Sequence, residues 1–155
     1  MNFATLWVGP GTSRRPIDLA TTLALVVGGG LVIWSSYIHF HLWDSVGYRH
    51  IATIGPLFLL QSIAGFLLGL MILAVRRAWV AVLGVGFSIS TLAGFLISVD
   101  HGLFGFKDSW EAPFAKQAFG IDLSIIVVLA FAGALCLAGS ASSPTTRATP
   151  AGITS

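Results

Sequence analysis

Chemistry-bearing residues gather between Tyr37 and Gln61, where Y-I-H-F-H-L-W-D-S-V-G-Y-R-H-I joins one long apolar run to the next. His39, His41 and His50 lie there with both tyrosines, Tyr37 and Tyr48, and with Trp43, Asp44 and Arg49. The fourth histidine, His101, follows Asp100 at the end of a later run. Imidazole and carboxylate ligands suit zinc, copper or iron. One chemistry open to these residues is therefore a metal site using His39 or His41, His50 and His101, with Asp100 or Asp44 adding an oxygen. A single haem between His39 or His41 and His101 is another, but two stacked haems would need histidines deeper in the runs. No H-x-x-x-H, H-E-x-x-H or E-x-x-H pattern is present, so the ligands would have to converge from three elements. Histidines and aromatics at the ends of membrane spans also act as plain interfacial anchors.

Helical spacing limits which of these groups can meet, because neighbours on one face are three or four residues apart. Ser35 and Ser36 share a side with His39, and Tyr37 shares one with His41. His39 and His41 point apart unless the helix ends or unwinds between them. Ser98 sits on the face of His101. Asp122 falls about a turn into the last apolar run, and an ionisable group at that depth is costly without a partner. Arg49, His101 and Lys116 are its candidate partners, and Arg49 itself is expected to pair with Asp44, Asp100 or Asp122 in a network that includes Tyr48. A planar guanidinium favours such pairs.

The elements that must position these residues follow from composition. The chain has 155 residues, 55% hydrophobic and 9% charged, with a mean hydropathy of +0.90. Four apolar runs, over 17–40, 51–75, 78–99 and 119–137, match the roughly 20 residues that cross a bilayer. Only helices and closed barrels satisfy their backbone in lipid, and these runs lack the alternation of barrel strands. An all-α, polytopic membrane four-helix bundle is predicted, occupying residues 1–139 as one domain. The segment from Leu19 to Ile38 is too long for a signal's apolar core and has no A-x-A-like cleavage site after it, so it reads as a retained span.

Sidedness comes from the basic residues. Arg14, Arg15, Arg76, Arg77 and Arg147 fall on one side and Arg49, Lys107 and Lys116 on the other. That places both termini in the cytoplasm of a bacterial inner membrane. All four histidines, with Asp44, Asp100, Asp108, Glu111 and Asp122, are then outward. The connection from Asp100 to Lys116 mixes Phe104, Phe106, Trp110 and Phe114 with charges and predicts a short interfacial helix or a lid on the bilayer surface. Residues 140–155, rich in Ser, Thr, Ala and Pro, predict a disordered cytoplasmic tail.

Small residues mark where helices approach. Gly65 and Gly69 form a G-x-x-x-G in the second run, with Gln61 one turn before them. Ser90, Gly94 and Ser98 make a similar stripe in the third. Both patterns read as bundle packing, with self-association the competing use. Gly55-Pro56 should loosen the first turn of the second run.

Several classes of function drop out. The net charge of +2 comes from scattered Lys and Arg with no basic stripe, so no nucleic-acid partner is expected. Cys136 stands alone, which excludes an internal disulfide. There is no G-x-S-x-G elbow, phosphate loop or C-x-x-C pair, and enzyme activity is not the expectation. Transport is poorly supported, since Gln61 is the one strongly polar residue near mid-depth. What stands is an accessory or assembly subunit that contacts lipid and another membrane protein or itself, with a metal- or haem-binding redox protein as the alternative.

The segment Y-R-H-I-A-T-I-G-P-L-F-L-L-Q, Tyr48 to Gln61, resembles small four-span actinobacterial membrane proteins that carry a similar stretch after a histidine-rich first span. The resemblance is close over 37–61 and extends elsewhere by topology alone. It implies a fold and a compartment and transfers no catalytic residue.

Overall fold

The computed structural model describes residues 16–141, with the side chains of 19–138. Four helices follow one another: α1 (Pro16–Asp44), α2 (Ile54–Val75), α3 (Ala78–Asp100) and α4 (Ala115–Ala141). All four are long and apolar enough to cross a membrane. Their outward faces are apolar as well: Leu60, Leu67, Val82, Val127 and Leu137 are each more than 60% exposed. A soluble bundle turns its polar face outward; among the described residues this one keeps its charged side chains inside or at the rims. The chain is a multi-pass membrane protein. Trp7, Arg14, Arg15 and Arg147 lie outside the described residues, as does the predicted tail beyond Ala141; α4 itself runs two residues past the expected boundary at 139.

α1 continues to Asp44, a turn beyond the predicted end at 40, so His41 and Asp44 are helical. A 3-10 turn at Tyr48–His50 leads into α2, which starts at Ile54 rather than Ile51. Pro56 therefore sits in the first turn of α2, where a missing N–H costs no hydrogen bond. The expected loosening is a helix start instead. Gly55 is required there, since a Cβ would lie 2.8 Å from the Arg49 carbonyl and 2.9 Å from that of Tyr48. At the other rim α2 turns into α3 through Arg76 and Arg77. Arg76 takes the left-handed conformation at φ 47 and its Nε donates to the Leu73 carbonyl at 3.2 Å, capping the helix end.

The G-x-x-x-G faces α1. A Cβ on Gly65 would collide with the Ser36 hydroxyl and come within 2.7 Å of Phe87, and one on Gly69 would sit 2.6 Å from Ile33 and 3.0 Å from the Gly29 carbonyl. The Ser62 hydroxyl donates to the Ser36 carbonyl across the same seam at 2.9 Å. On the far side of α1, Leu129 of α4 fills a notch between Gly28 and Gly84, where any Cβ would strike its side chain. Leu25, Val32, Ile72, Val80 and Ile125 complete this core.

The predicted stripe on α3 is only partly a packing face. Gly94 has open space where a Cβ would go, and Ser90 is exposed with its hydroxyl turned back to the Phe87 carbonyl. Helix contact on α3 uses Val80, Ala81, Gly84 and Ser88 instead. Both sets have spacings of about four, and hydropathy does not separate them. Ser98 alone of the predicted stripe is buried.

Candidate functional site: a polar chamber at the histidine rim

The α1–α2 and α3–α4 connections meet at one end of the bundle, and all four histidines lie there. α2 and α3 touch each other far less than either touches its other neighbour. Between them, in the half nearer this rim, is a cavity of about 200 Å³ reached by all four helices. The 103–113 connection roofs it with Leu103, Phe106, Asp108, Ala112 and Pro113. Leu57 and Ser90, at its α2 and α3 edges, are exposed.

Of the two forms expected for this connection, an interfacial helix or a lid, no helix forms over 101–114, and the segment covers the cavity as a lid would. Leu103 and Phe106 exchange backbone hydrogen bonds of 2.6 and 2.9 Å. Between them Phe104 and Gly105 have φ of 51 and 80, both in the left-handed region that a tight primed turn requires. Ser98 ties this turn to α3: its hydroxyl accepts the Asp108 N–H at 3.2 Å and donates to the Phe106 carbonyl at 3.5 Å. Trp110 packs edge-on against Phe95 and Phe119 at centroid distances of 4.9 and 5.1 Å. Tyr48 lies against Phe58 and Phe106 on the opposite wall. Burial pushes the Tyr48 hydroxyl up to about 12, helped by the Asp108 carboxylate beside it. Burial raises Asp108 too, offset by the Ser109 N–H and the Tyr48 hydroxyl.

Asp122 lines the chamber about two turns into α4 and is 1% exposed. Its expected partners Arg49, His101 and Lys116 are all exposed at the rim. Ser35 of α1 partners it instead, donating its hydroxyl at 3.1 Å. The reason is depth: α4 begins four residues earlier than predicted, at Ala115, so Asp122 is carried below the rim and in against α1. The Ser88 hydroxyl of α3, fully buried and with no other partner among the described residues, lies close to the same carboxyl.

His39 lines the chamber one turn above Ser35 and is 8% exposed. Its Nδ1 is 2.9 Å from the Ser35 carbonyl. A carbonyl only accepts, so Nδ1 carries the proton, and in the neutral ring Nε2 is left as an acceptor. Among the described residues nothing hydrogen-bonds Nε2. Gln61 closes the floor between α2 and α3, donating to the Thr91 hydroxyl, which donates on to the Phe87 carbonyl at 3.0 Å.

The other histidines do not join His39. Because α1 stays regular, His41 points away to stack on Tyr37 and meet Phe114 edge-on. His50 is exposed and accepts from Arg49 Nε at 3.1 Å. Asp100 and His101 are exposed at the end of α3. No group of three or more His, Cys, Asp or Glu among the described residues is arranged to hold a metal, so the proposed ligand set His39, His41, His50, His101 and Asp100 is not assembled. The network of Asp44, Tyr48, Arg49 and Asp122 is likewise divided. Arg49 pairs with Asp44 at 3.3 Å on the surface, while Tyr48 and Asp122 face the chamber.

Sequence reasoning missed Thr91 and Asp108, and it gave Ser88 no part in the polar centre. Ser88 had a signal, since it stands four residues after Gly84 on a small-residue face. Asp108, in an aperiodic connection, had none.

Fold and site together define a class: an α-helical, multi-pass membrane protein with a partly open, largely apolar chamber holding a few polar groups in one half. No protein family, curated protein or solved structure matches the chain, and its chemistry is read from geometry.

Proposed function

We propose that the protein holds a small amphipathic molecule in the chamber at its histidine rim, as a non-catalytic accessory protein of the bacterial inner membrane. The carrying observation is a roofed cavity lined by the polar groups Asp122, His39, Gln61 and Asp108 within largely apolar walls. Small-molecule sites are mostly apolar with a few placed polar groups. A volume of about 200 Å³ takes a group of single-ring size, since a dry cavity of about 150 Å³ takes benzene.

Charge supports the orientation with both termini cytoplasmic. Arg76 and Arg77 mark the opposite rim, and the sequence adds Arg14, Arg15 and Arg147 to that side. The chamber then lies in the outer half of the bilayer.

A second reading, docking on a larger membrane complex, is favoured by Phe104, 65% exposed at the tip of the lid turn. The G-x-x-x-G no longer argues for it, because α1 occupies that face. The haem and metal alternative has one imidazole in the chamber and would need further ligands from elsewhere.

Native mass spectrometry of the protein extracted in mild neutral detergent tests the reading. A bound small molecule, near one per chain, is expected in the wild type and lost in Ala118→Phe, which fills the chamber. An empty wild type, or equal occupancy in the variant, contradicts it.

A further inference from the structure

The hydroxyls that line the chamber are already committed, those of Ser90, Thr91 and Ser98 to backbone carbonyls and that of Tyr48 to Asp108. The hydrogen-bonding capacity left over is mostly that of acceptors. Asp122 offers about four lone-pair sites as a carboxylate; Ser35 donates its hydroxyl at 3.1 Å and the Ser88 hydroxyl lies close by, so acceptor capacity is left over. His39 has Nδ1 committed to a carbonyl, so in the neutral ring Nε2 is left as an acceptor on a largely buried residue. Gln61 uses its amide N–H on Thr91, which leaves its carbonyl oxygen. Asp108 adds a second carboxylate at the roof, already engaged in part by the Ser109 N–H and the Tyr48 hydroxyl. Among the described residues neither Lys nor Arg lines the cavity. Around these acceptors stand the rings of Phe58, Phe95, Phe106 and Phe119, and aromatic faces attract a cation within about 6 Å of their centroids.

Resting on the chamber reading above, we infer that its occupant is a lipophilic primary amine bound as the ammonium. The head group donates to Asp122 and to His39 Nε2, and the apolar stem lies among the phenylalanine rings. An ammonium has three donors and no acceptor, so it satisfies the acceptors without bringing one of its own. A carboxylate or phosphate head would face two aspartates with no basic side chain to offset them. A neutral alcohol has one donor and leaves the remaining sites unmet. Entry is between α2 and α3, where Leu57 and Ser90 mark exposed edges and Gln61–Thr91 closes only the floor.

Isothermal titration of the full chain in neutral detergent near pH 7, with 2-phenylethylamine, 2-phenylethanol and phenylacetate, tests this. At that pH the amine is an ammonium, since alkyl amines resemble lysine at about 10.4. The ammonium should bind about tenfold or more tighter than the alcohol, as a desolvated charged hydrogen bond and a cation–π contact imply, with phenylacetate weakest. Asp122→Asn should reduce that preference to about threefold or less. The wild-type ranking stands without the variant, and His39→Gln offers a second reading, with a smaller loss, if Asp122→Asn does not fold. Equal affinity for amine and alcohol overturns the amine while leaving the chamber a binding site. An undiminished preference in Asp122→Asn overturns the assignment of the head group to Asp122. Failure of all three probes to bind overturns the amine, and with an empty wild type in mass spectrometry it removes the chamber reading as well.

Discussion

α2 has two unlike faces. Toward α1 it is zipped, with Gly65 and Gly69 leaving no room for a Cβ and Ser62 adding a hydrogen bond to the Ser36 carbonyl. Toward α3 it makes sparse contact, and in the histidine half one polar bridge, Gln61 to Thr91, spans the gap. Lipid-exposed helices gain little by burying apolar surface against each other, so association depends on close packing and on polar contacts. Where glycines allow the backbones to meet, the bundle is solid. Where α3 offers Gly94 with nothing opposite it, a chamber is left.

The sharpest way to break this contrast is to add bulk on both sides. Gly65→Val should destabilise by about 1 to 3 kcal/mol, the usual cost of overpacking, and lower the yield of folded protein. Gly94→Ala should change stability by no more than about 1 kcal/mol, since only the helical cost of glycine is at stake. Thermal melts in one detergent compare the two, and equal losses would refute the difference between the faces.

Next in size is Ser35→Ala, which strips Asp122 of its hydroxyl donor. A hydrogen bond to a buried ionisable group is worth about 1 to 3 kcal/mol, and a melt should show that loss. Ser124→Ala, on the exposed face of α4, should show almost none. Gln61→Leu is smaller again, about 0.6 kcal/mol by comparison with other hydrogen bonds between membrane helices. Its clearer signature is faster binding of the amine probe, because the floor between α2 and α3 is released.

The smallest effect concerns the roof. Tyr48 keeps its proton to about 12 when folded against 10.0 ordinarily. A group whose folded value is raised contributes fully below its unfolded value and loses that contribution as pH climbs through the folded one. The lid should therefore hold below pH 10.0 and weaken toward about 12. Ultraviolet titration of phenolate, against Tyr48→Phe to isolate this residue, should show the late ionisation. Asp108→Asn should bring it lower.

Much of the fold was legible because lipid imposes a strong rule: long apolar runs with charges at their ends become spanning helices. α2 and α3 were placed to within three residues for that reason. Helix ends were less legible where apolar and polar residues mix, so α1 ran on to Asp44 and α4 began at Ala115 rather than Phe119. The site was legible in part. His39 and Asp122 were singled out, but their company was not, because partners separated by 87 positions, as Ser35 and Asp122 are, leave no local pattern. The divergence of His39 and His41 was legible too, because on a regular helix residues two apart face different directions.

Alanine-methyl NMR of the protein in bicelles, titrated with 2-phenylethylamine, tests the central claim most directly because it watches both regions together. Ala112, Ala115 and Ala118 line the chamber, whereas Ala81 and Ala132 are sealed in the glycine-packed core. The chamber methyls should shift saturably while the core methyls stay still. Core methyls moving as far as those of the chamber, or no saturable shift at any of the five, would contradict it.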